Sequence, residues 1–132
     1  MRKMLLTILL AAIAALAWAL MKNHNAGFKT IGTAEYAEVI KDAAVQLVDV
    51  RTPMEYAEGH LPGAMLIDVK DSTFLEKAEN LLSQDSPVAV YCRSGHRSAR
   101  AARQLVKAGY EVVNLKGGIL AWRAEGREVV KD

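Results

Sequence analysis

A single cysteine, Cys92, stands among the 132 residues. No disulfide can form within the chain, and a four-cysteine zinc site is excluded. The three histidines, His24, His60 and His96, share no ligand spacing with Cys92, so no metal or other cofactor is expected. Excess charge of one sign is also missing: the formal net charge is +2 and the isoelectric point is near 8.7. Three of the cations, Arg2, Lys3 and Lys22, flank an apolar segment rather than building a basic face, so nothing argues for a nucleic-acid partner. Internal repeats and low-complexity tracts are absent. The length suits one domain. With the atypical N-terminus set aside, about 105 residues remain, enough for one core but not for two.

What is present begins with a long apolar run. Arg2 and Lys3 precede Met4–Met21, in which Thr7 is the only polar member, and Lys22, Asn23, His24 and Asn25 end it sharply. The positive start and the small residues at Ala15, Ala17 and Ala19 fit a secretory signal peptide. The run is also just long enough for a membrane-spanning helix. Both readings export the remainder, because Arg2 and Lys3 hold the N-terminus in the cytoplasm. Apolar character running on to Met21 favours a retained anchor over cleavage. The expected organisation is a signal peptide or anchor over 1–22, a linker over 23–27 and a folded domain over 28–132, on the extracytoplasmic side of a membrane.

Strand-like and helix-like patterns then alternate. Strands are predicted at Phe28–Ile31, Val45–Val50, Ala64–Ile67, Val88–Tyr91 and Val112–Leu115. Helices are predicted from Thr33, placed as a cap for Tyr36, Val39, Ile40 and Ala43; from Pro53 through Glu58; over 72–82, with Phe74, Leu75, Ala78 and Leu81 on one side; over Ser98–Ala108, closed by Gly109; and over Ile119–Glu125. This alternation implies an α/β fold with a mainly parallel sheet covered by helices on both faces.

The chemistry converges on residues 88–103. A strand ends at Tyr91 and a helix is expected near Ser98, leaving a loop of Cys92, Arg93, Ser94, Gly95, His96 and Arg97. Ligands of open α/β sheets bind outside the carboxyl ends of the strands. A short loop curling into a helix N-terminus points several backbone N–H groups at one spot and binds anions there, with Gly95 permitting the curl. The same field, with Arg93, Arg97 and His96 nearby, lowers a cysteine pKa. Cys92 is therefore predicted to be a thiolate suited to an anionic substrate with a transferable electrophilic atom; the loop chemistry leaves open whether that atom is sulfur or phosphorus. Arg100 and Arg103 read as a solvated helix face.

Three blocks resemble the rhodanese family. Asp49-Val50-Arg51, Glu55-Tyr56 and Gly59-His60-Leu61-Pro62-Gly63-Ala64 are similar to its DVR…EY…GHIPGA signature. Tyr91–Ser98 resembles its active loop, and Gly117-Gly118-Ile119-Leu120-Ala121-Trp122 its GG…W segment. The resemblance spans nearly all of residues 28–126. It implies a five-stranded parallel sheet and a Cys92 that accepts sulfane sulfur from a small anion such as thiosulfate, then passes it to cyanide or a thiol. Backbone amides of residues 93–97 would hold the persulfide and the donor, with Arg97 stabilising negative charge. Asp49 and Arg51 would form a supporting salt bridge, Ser98 would close the loop, and His60 and Trp122 would serve packing and turns. Ile67-Asp68-Val69 departs from the family's common Asn-Ile-Pro, away from the loop.

Three other functions compete. Cysteine phosphatases and arsenate reductases place five residues between Cys and Arg; here four separate Cys92 from Arg97, which tightens the pocket toward a single sulfur atom. A non-catalytic binding module would be expected to lose Cys92, Gly95 or Arg97. A persulfide carrier or redox partner would use the same thiol, and the sequence does not separate it from a free enzyme.

Overall fold

The computed structural model describes residues 2–9 and 27–132. Residues 2–9 are helical, and the side chains of Met4, Leu5, Leu6, Ile8 and Leu9 are exposed. The rest of the Met4–Met21 run, on which the anchor expectation depends, lies outside the described residues. Among the described residues no helix is long and apolar enough to cross a membrane.

From Lys29 onward strand and helix alternate as the hydrophobic pattern requires: β1 (Lys29–Ile31), α1 (Thr33–Ile40), β2 (Gln46–Asp49), α2 (Pro53–Glu58), β3 (Met65–Leu66), α3 (Phe74–Leu81), β4 (Val88–Tyr91), α4 (His96–Lys107), β5 (Val112–Leu115) and α5 (Gly118–Ala124). The five strands form one sheet in the order β1-β5-β4-β2-β3, with every pairing parallel. The expected α/β class and five-stranded sheet are those observed.

Two apolar layers sandwich the sheet. One gathers Val48, Val88 and Val90 with Phe74 and Ala78 of α3 and Ala101, Ala102 and Leu105 of α4. The other gathers Ala89, Tyr91 and Leu115 with Tyr36 of α1 and Ile119 and Trp122 of α5. Side chains alternate along a strand. Val88 and Val90 therefore face one layer, Ala89 and Tyr91 the other, and Cys92 continues the first series toward α4. The strand order adds a second constraint. After β2 the chain moves outward to β3, whereas after β4 it moves the opposite way to β5. The carboxyl ends of β2 and β4 thus flank a topological switch point, where open α/β sheets bind ligands.

Several boundaries differ from expectation for identifiable reasons. Thr33 does not cap α1. Gly32 occupies that position without a side-chain cap, and the Thr33 hydroxyl instead donates to Glu125 Oε1 at 2.5 Å. That helix ends at Ile40, short of Ala43. Leu81 is 54% exposed and Leu82, one residue on, is buried in its place. Helix α4 begins at His96 rather than Ser98, because Gly95 adopts φ +113° and turns the chain directly into the helix. The loop is four residues long, Cys92–Gly95, and His96 and Arg97 form the first turn of α4.

Candidate active site

The site is built on the end of β4. Cys92 Sγ accepts a hydrogen bond from the Gly95 N–H at 3.0 Å and faces the Ser98 hydroxyl at 3.3 Å. That hydroxyl also lies 3.2 Å from the Gly95 carbonyl. Its one hydrogen serves one acceptor at a time, and an ionised sulfur competes for it more strongly than a neutral carbonyl.

The direction of the loop's peptide planes is fixed from outside. The Cys92 carbonyl accepts from the Ile119 N–H at 2.9 Å, and the Arg93 carbonyl from the Leu120 N–H at 3.2 Å. In a trans peptide the C=O and the following N–H point in opposite directions. Carbonyls drawn toward α5 therefore turn the amides of Arg93 and Ser94 the other way, away from α5. Gly118 makes the approach possible. A Cβ there would sit 2.3 Å from the Arg93 oxygen and 2.5 Å from the Cys92 oxygen, and its φ of +58° favours glycine.

Cys92 is only 1% exposed. Burial pushes its thiol pKa up. Hydrogen bonds from the Ser98 hydroxyl and from the amides of Ser98, Gly95 and Ser94 push it down, and the net direction is below the ordinary thiol value. The N-terminus of α4, with no acidic residue in its first turn, adds a favourable dipole. The Gly95 N–H and the Ser98 hydroxyl meet the sulfur, which lies deeper than the sequence suggested.

Arg97 is placed differently from expectation. Its guanidinium binds Glu55 in a two-point pair, Nη1 to Oε1 at 2.6 Å and Nη2 to Oε2 at 2.8 Å. The Arg97 charge is thus met by Glu55 rather than left free for a donor anion, though the Cys92 charge still acts on it. Glu55 closes a capping box with Thr52 at the start of α2, and Arg97 holds its carboxyl down at about 2. The sequence pattern Thr52-x-x-Glu55 was the available signal for this cap, but nothing local revealed that Glu55 would reach a residue 42 positions away.

Beneath the site lies a buried network. Asp49 accepts from Arg51 Nε and Nη2, at 2.9 and 2.7 Å, and from the Tyr91 hydroxyl at 2.8 Å. Arg51 Nη2 also donates to the Gly59 carbonyl at 2.7 Å, and the Leu61 N–H donates to the Tyr91 oxygen at 3.0 Å. Burial and the Asp49 charge hold the Tyr91 phenol far above its ordinary pKa. This network ties the ends of β2 and β4 to the 59–61 turn. His60 is buried, stacked on Tyr56 with ring centroids 3.7 Å apart, and its Nδ1 donates to the Tyr56 carbonyl. Trp122 is buried and donates from Nε1 to the Glu128 carbonyl. Arg93, Ser94 and His96 stand exposed on the rim, and Arg100 and Arg103 lie on the outer face of α4.

Beside the loop lies a cavity of about 270 Å³, walled by Arg51, Glu55, Glu58, Arg93, Leu120 and Arg123 among others. The Arg123 guanidinium rests against Gly59, where a Cβ would lie 2.6 Å from it.

Comparison with known proteins places this arrangement. The model of the Rhodanese-like domain family matches residues 32–125. A sulfurtransferase of Allochromatium vinosum is 40% identical over 87 residues, covering 65% of this chain and 78% of that protein. Thiosulfate sulfurtransferase 18 of Arabidopsis thaliana is 37% identical over 98 residues, covering 65% of this chain and 72% of its own length. Among solved structures, a rhodanese-related protein from Thermoplasma volcanium aligns with a TM-score of 0.70 at 33% identity, covering 80% of this chain and 100% of that one.

Proposed function

Since this chain belongs to the rhodanese family, we propose that it is a sulfurtransferase in which Cys92 carries the transferred sulfur as a persulfide. The observation that carries the proposal is the Gly95 N–H directed at Sγ, in a loop whose first two carbonyls are drawn away toward α5. Such a cradle stabilises negative charge on a sulfur, first on Cys92 itself and then on the sulfur it accepts.

The donor is a small anion of the thiosulfate type. The Cys92 thiolate attacks its outer sulfur, the S–S bond of the donor breaks, and sulfite leaves with the bonding electron pair. The outer sulfur of the resulting persulfide stands about 2 Å beyond Sγ, which brings it out of the buried position toward the rim. In the second half-reaction cyanide or a thiolate attacks that sulfur, and Cys92 returns to a thiolate held by the same donors. Holding the donor falls chiefly to the loop amides, because Glu55 already engages Arg97. A persulfide carrier serving another protein would use the same first half-reaction. The Met4–Met21 run supports placement of the domain on the outer side of a membrane, tested by fractionation: recovery only as a soluble cytoplasmic protein would refute it.

The direct test is intact mass of the purified chain after incubation with thiosulfate, and again after cyanide. The wild type is expected to gain one sulfur atom and lose it to cyanide, while Cys92→Ser gains none. A wild type that stays unmodified would refute sulfurtransfer, and a modified Cys92→Ser would remove Cys92 from its role.

A further inference from the structure

Helix α4 turns outward a stripe of cations that the reaction described above does not use. His96, Arg100, Arg103 and Lys107 are all exposed. They stand at i, i+4, i+7 and i+11, within about 60° of arc on a helix of about 3.6 residues per turn. Ser98, Ala101, Ala102 and Leu105, which are buried, occupy the opposite side. The helix contains no acidic residue, and among the described residues Arg100 and Arg103 join no ion pair. Solvated helix faces ordinarily mix the two signs at i,i+4 spacing; this one carries a single sign along its whole length.

A second observation says what the stripe meets. Phe28, directly before β1, packs on the apolar layer beneath α4, which Val106 and Ala108 also cover. Strand β1 is the sheet edge beside β5, and α4 packs on β4 and β5. The chain coming from the Met4–Met21 run therefore enters the domain on the α4 side of the sheet. Residues 22–27 span at most about 20 Å, and the 12 residues of α4 are about 18 Å long. A membrane holding the run thus lies within reach of the whole stripe. The exposed Glu76 and Glu79 belong to α3, which joins β3 to β4 and lies toward the sheet edge away from Phe28.

From this arrangement we propose that α4 is a membrane-docking face, whose cationic stripe lies against the headgroups of anionic lipids. The inference rests on the placement of the Met4–Met21 run in a membrane and adds which face of the domain that membrane meets. An anionic lipid surface attracts each nearby Lys or Arg, and the attraction fades within a Debye length of about 8–10 Å. The short linker keeps Arg100, Arg103 and Lys107 where that attraction acts on all three at once. Docking brings the first turn of α4, with the loop rim at Arg93 and Ser94, to the lipid–water boundary. The hydrogen bonds from Gly95 and Ser98 to the sulfur stay in place. An acidic protein would meet the same charges, but it would not require the chain to enter on the side of the stripe.

The test reconstitutes the full chain in lipid nanodiscs and follows acetylation of Lys107 by an amine-reactive ester, read by mass spectrometry. Lys41 is the internal control; it is exposed and follows α1, which packs on the other face of the sheet. Each cation beside an anionic surface favours contact about fivefold. Discs of phosphatidylcholine with phosphatidylglycerol should therefore slow Lys107 about tenfold relative to phosphatidylcholine alone. Lys41 should keep one rate in both, and high salt should erase the difference at Lys107. The double variant Arg100→Gln, Arg103→Gln loses roughly 25-fold of the attraction. It should return Lys107 to its phosphatidylcholine rate while taking up sulfur from thiosulfate like the wild type. Equal Lys107 rates on the two kinds of disc overturn the docking face and leave the stripe to an acidic protein. Protection that Lys41 shares, or that the double variant keeps, overturns it as well. Copurification with phosphatidylcholine discs, which the stripe cannot drive, reports separately on the Met4–Met21 run. A chain absent from those discs refutes the anchored placement, and the docking face falls with it.

Discussion

Replacing Gly118 by alanine tests whether α5 sets the shape of the loop. The added Cβ would meet the Arg93 oxygen at 2.3 Å and the Cys92 oxygen at 2.5 Å, distances at which backbone must move. Two costs follow. A non-glycine residue at φ +58° costs about 1–2 kcal/mol. Displacing the loop also breaks the Ile119–Cys92 and Leu120–Arg93 hydrogen bonds, worth about 0.5–1.5 kcal/mol each in net terms. The sum is about 2–5 kcal/mol. For a domain of this size each kcal/mol lowers Tm by roughly 4–8 °C, so the variant should melt at least about 8 °C below wild type. Persulfide formation should fall further than stability does, because the amides that face the sulfur turn with the displaced carbonyls. Gly126→Ala is the matched control. Its φ is +71°, yet nothing lies within 4 Å of the added Cβ, so it carries the strain without the collision. It should lose only about 1–2 kcal/mol and keep the wild-type single-turnover rate. The measurements are thermal unfolding and rapid-quench mass analysis of sulfur uptake. A Gly118→Ala protein that melts and reacts like Gly126→Ala would refute the claim that α5 orients the loop.

Two further outcomes probe the electrostatics. Ser98→Ala removes one of the donors that hold the Cys92 thiol pKa down, so the acid limb of the rate of sulfur uptake against pH should move to higher pH, and an unmoved limb would exclude the hydroxyl as a thiolate donor. Glu55 is held at about 2 in the folded chain against 4.5 for the free group. A depressed carboxyl contributes fully above the unfolded pKa and loses its contribution as pH falls through the folded one. Glu55→Gln should therefore cost about 1 kcal/mol at neutral pH, and its stability curve should converge on the wild type between pH 4.5 and about 2. Curves that stay parallel across that range would show that the pair does not stabilise the fold.

Much of this was readable in the chain. The strands Val88–Tyr91 and Val112–Leu115 fall where the β-branched runs place them, because both sit in the middle of the sheet where burial on two faces leaves little choice of register. The start of α4 was not readable from capping rules. Those rules look for a side-chain oxygen on a backbone amide, whereas here the helix starts after a glycine at positive φ and the Ser98 hydroxyl is turned to sulfur. The pair Glu55–Arg97 and the bonds from α5 to the loop join residues 42 and 27 positions apart. No local pattern encodes such partners; they follow from the sheet order, which the sequence did not specify beyond its parallel character. The burial of Cys92 was hidden for the same reason, since the thiol belongs to the core layer that the sheet shares with α3 and α4.

The dependence of the loop on Ile119 and Leu120 also orders events in time. Before α5 docks, the chain already contains Cys92 but lacks the contacts that align its loop. During that interval the Cys92 and Arg93 carbonyls have no α5 amides to bind, and nothing yet enforces the cradle around the sulfur. Alignment of the loop is therefore deferred until α5 has docked. A molecule truncated before Ile119 keeps Cys92 but lacks the bonds that align the loop around it.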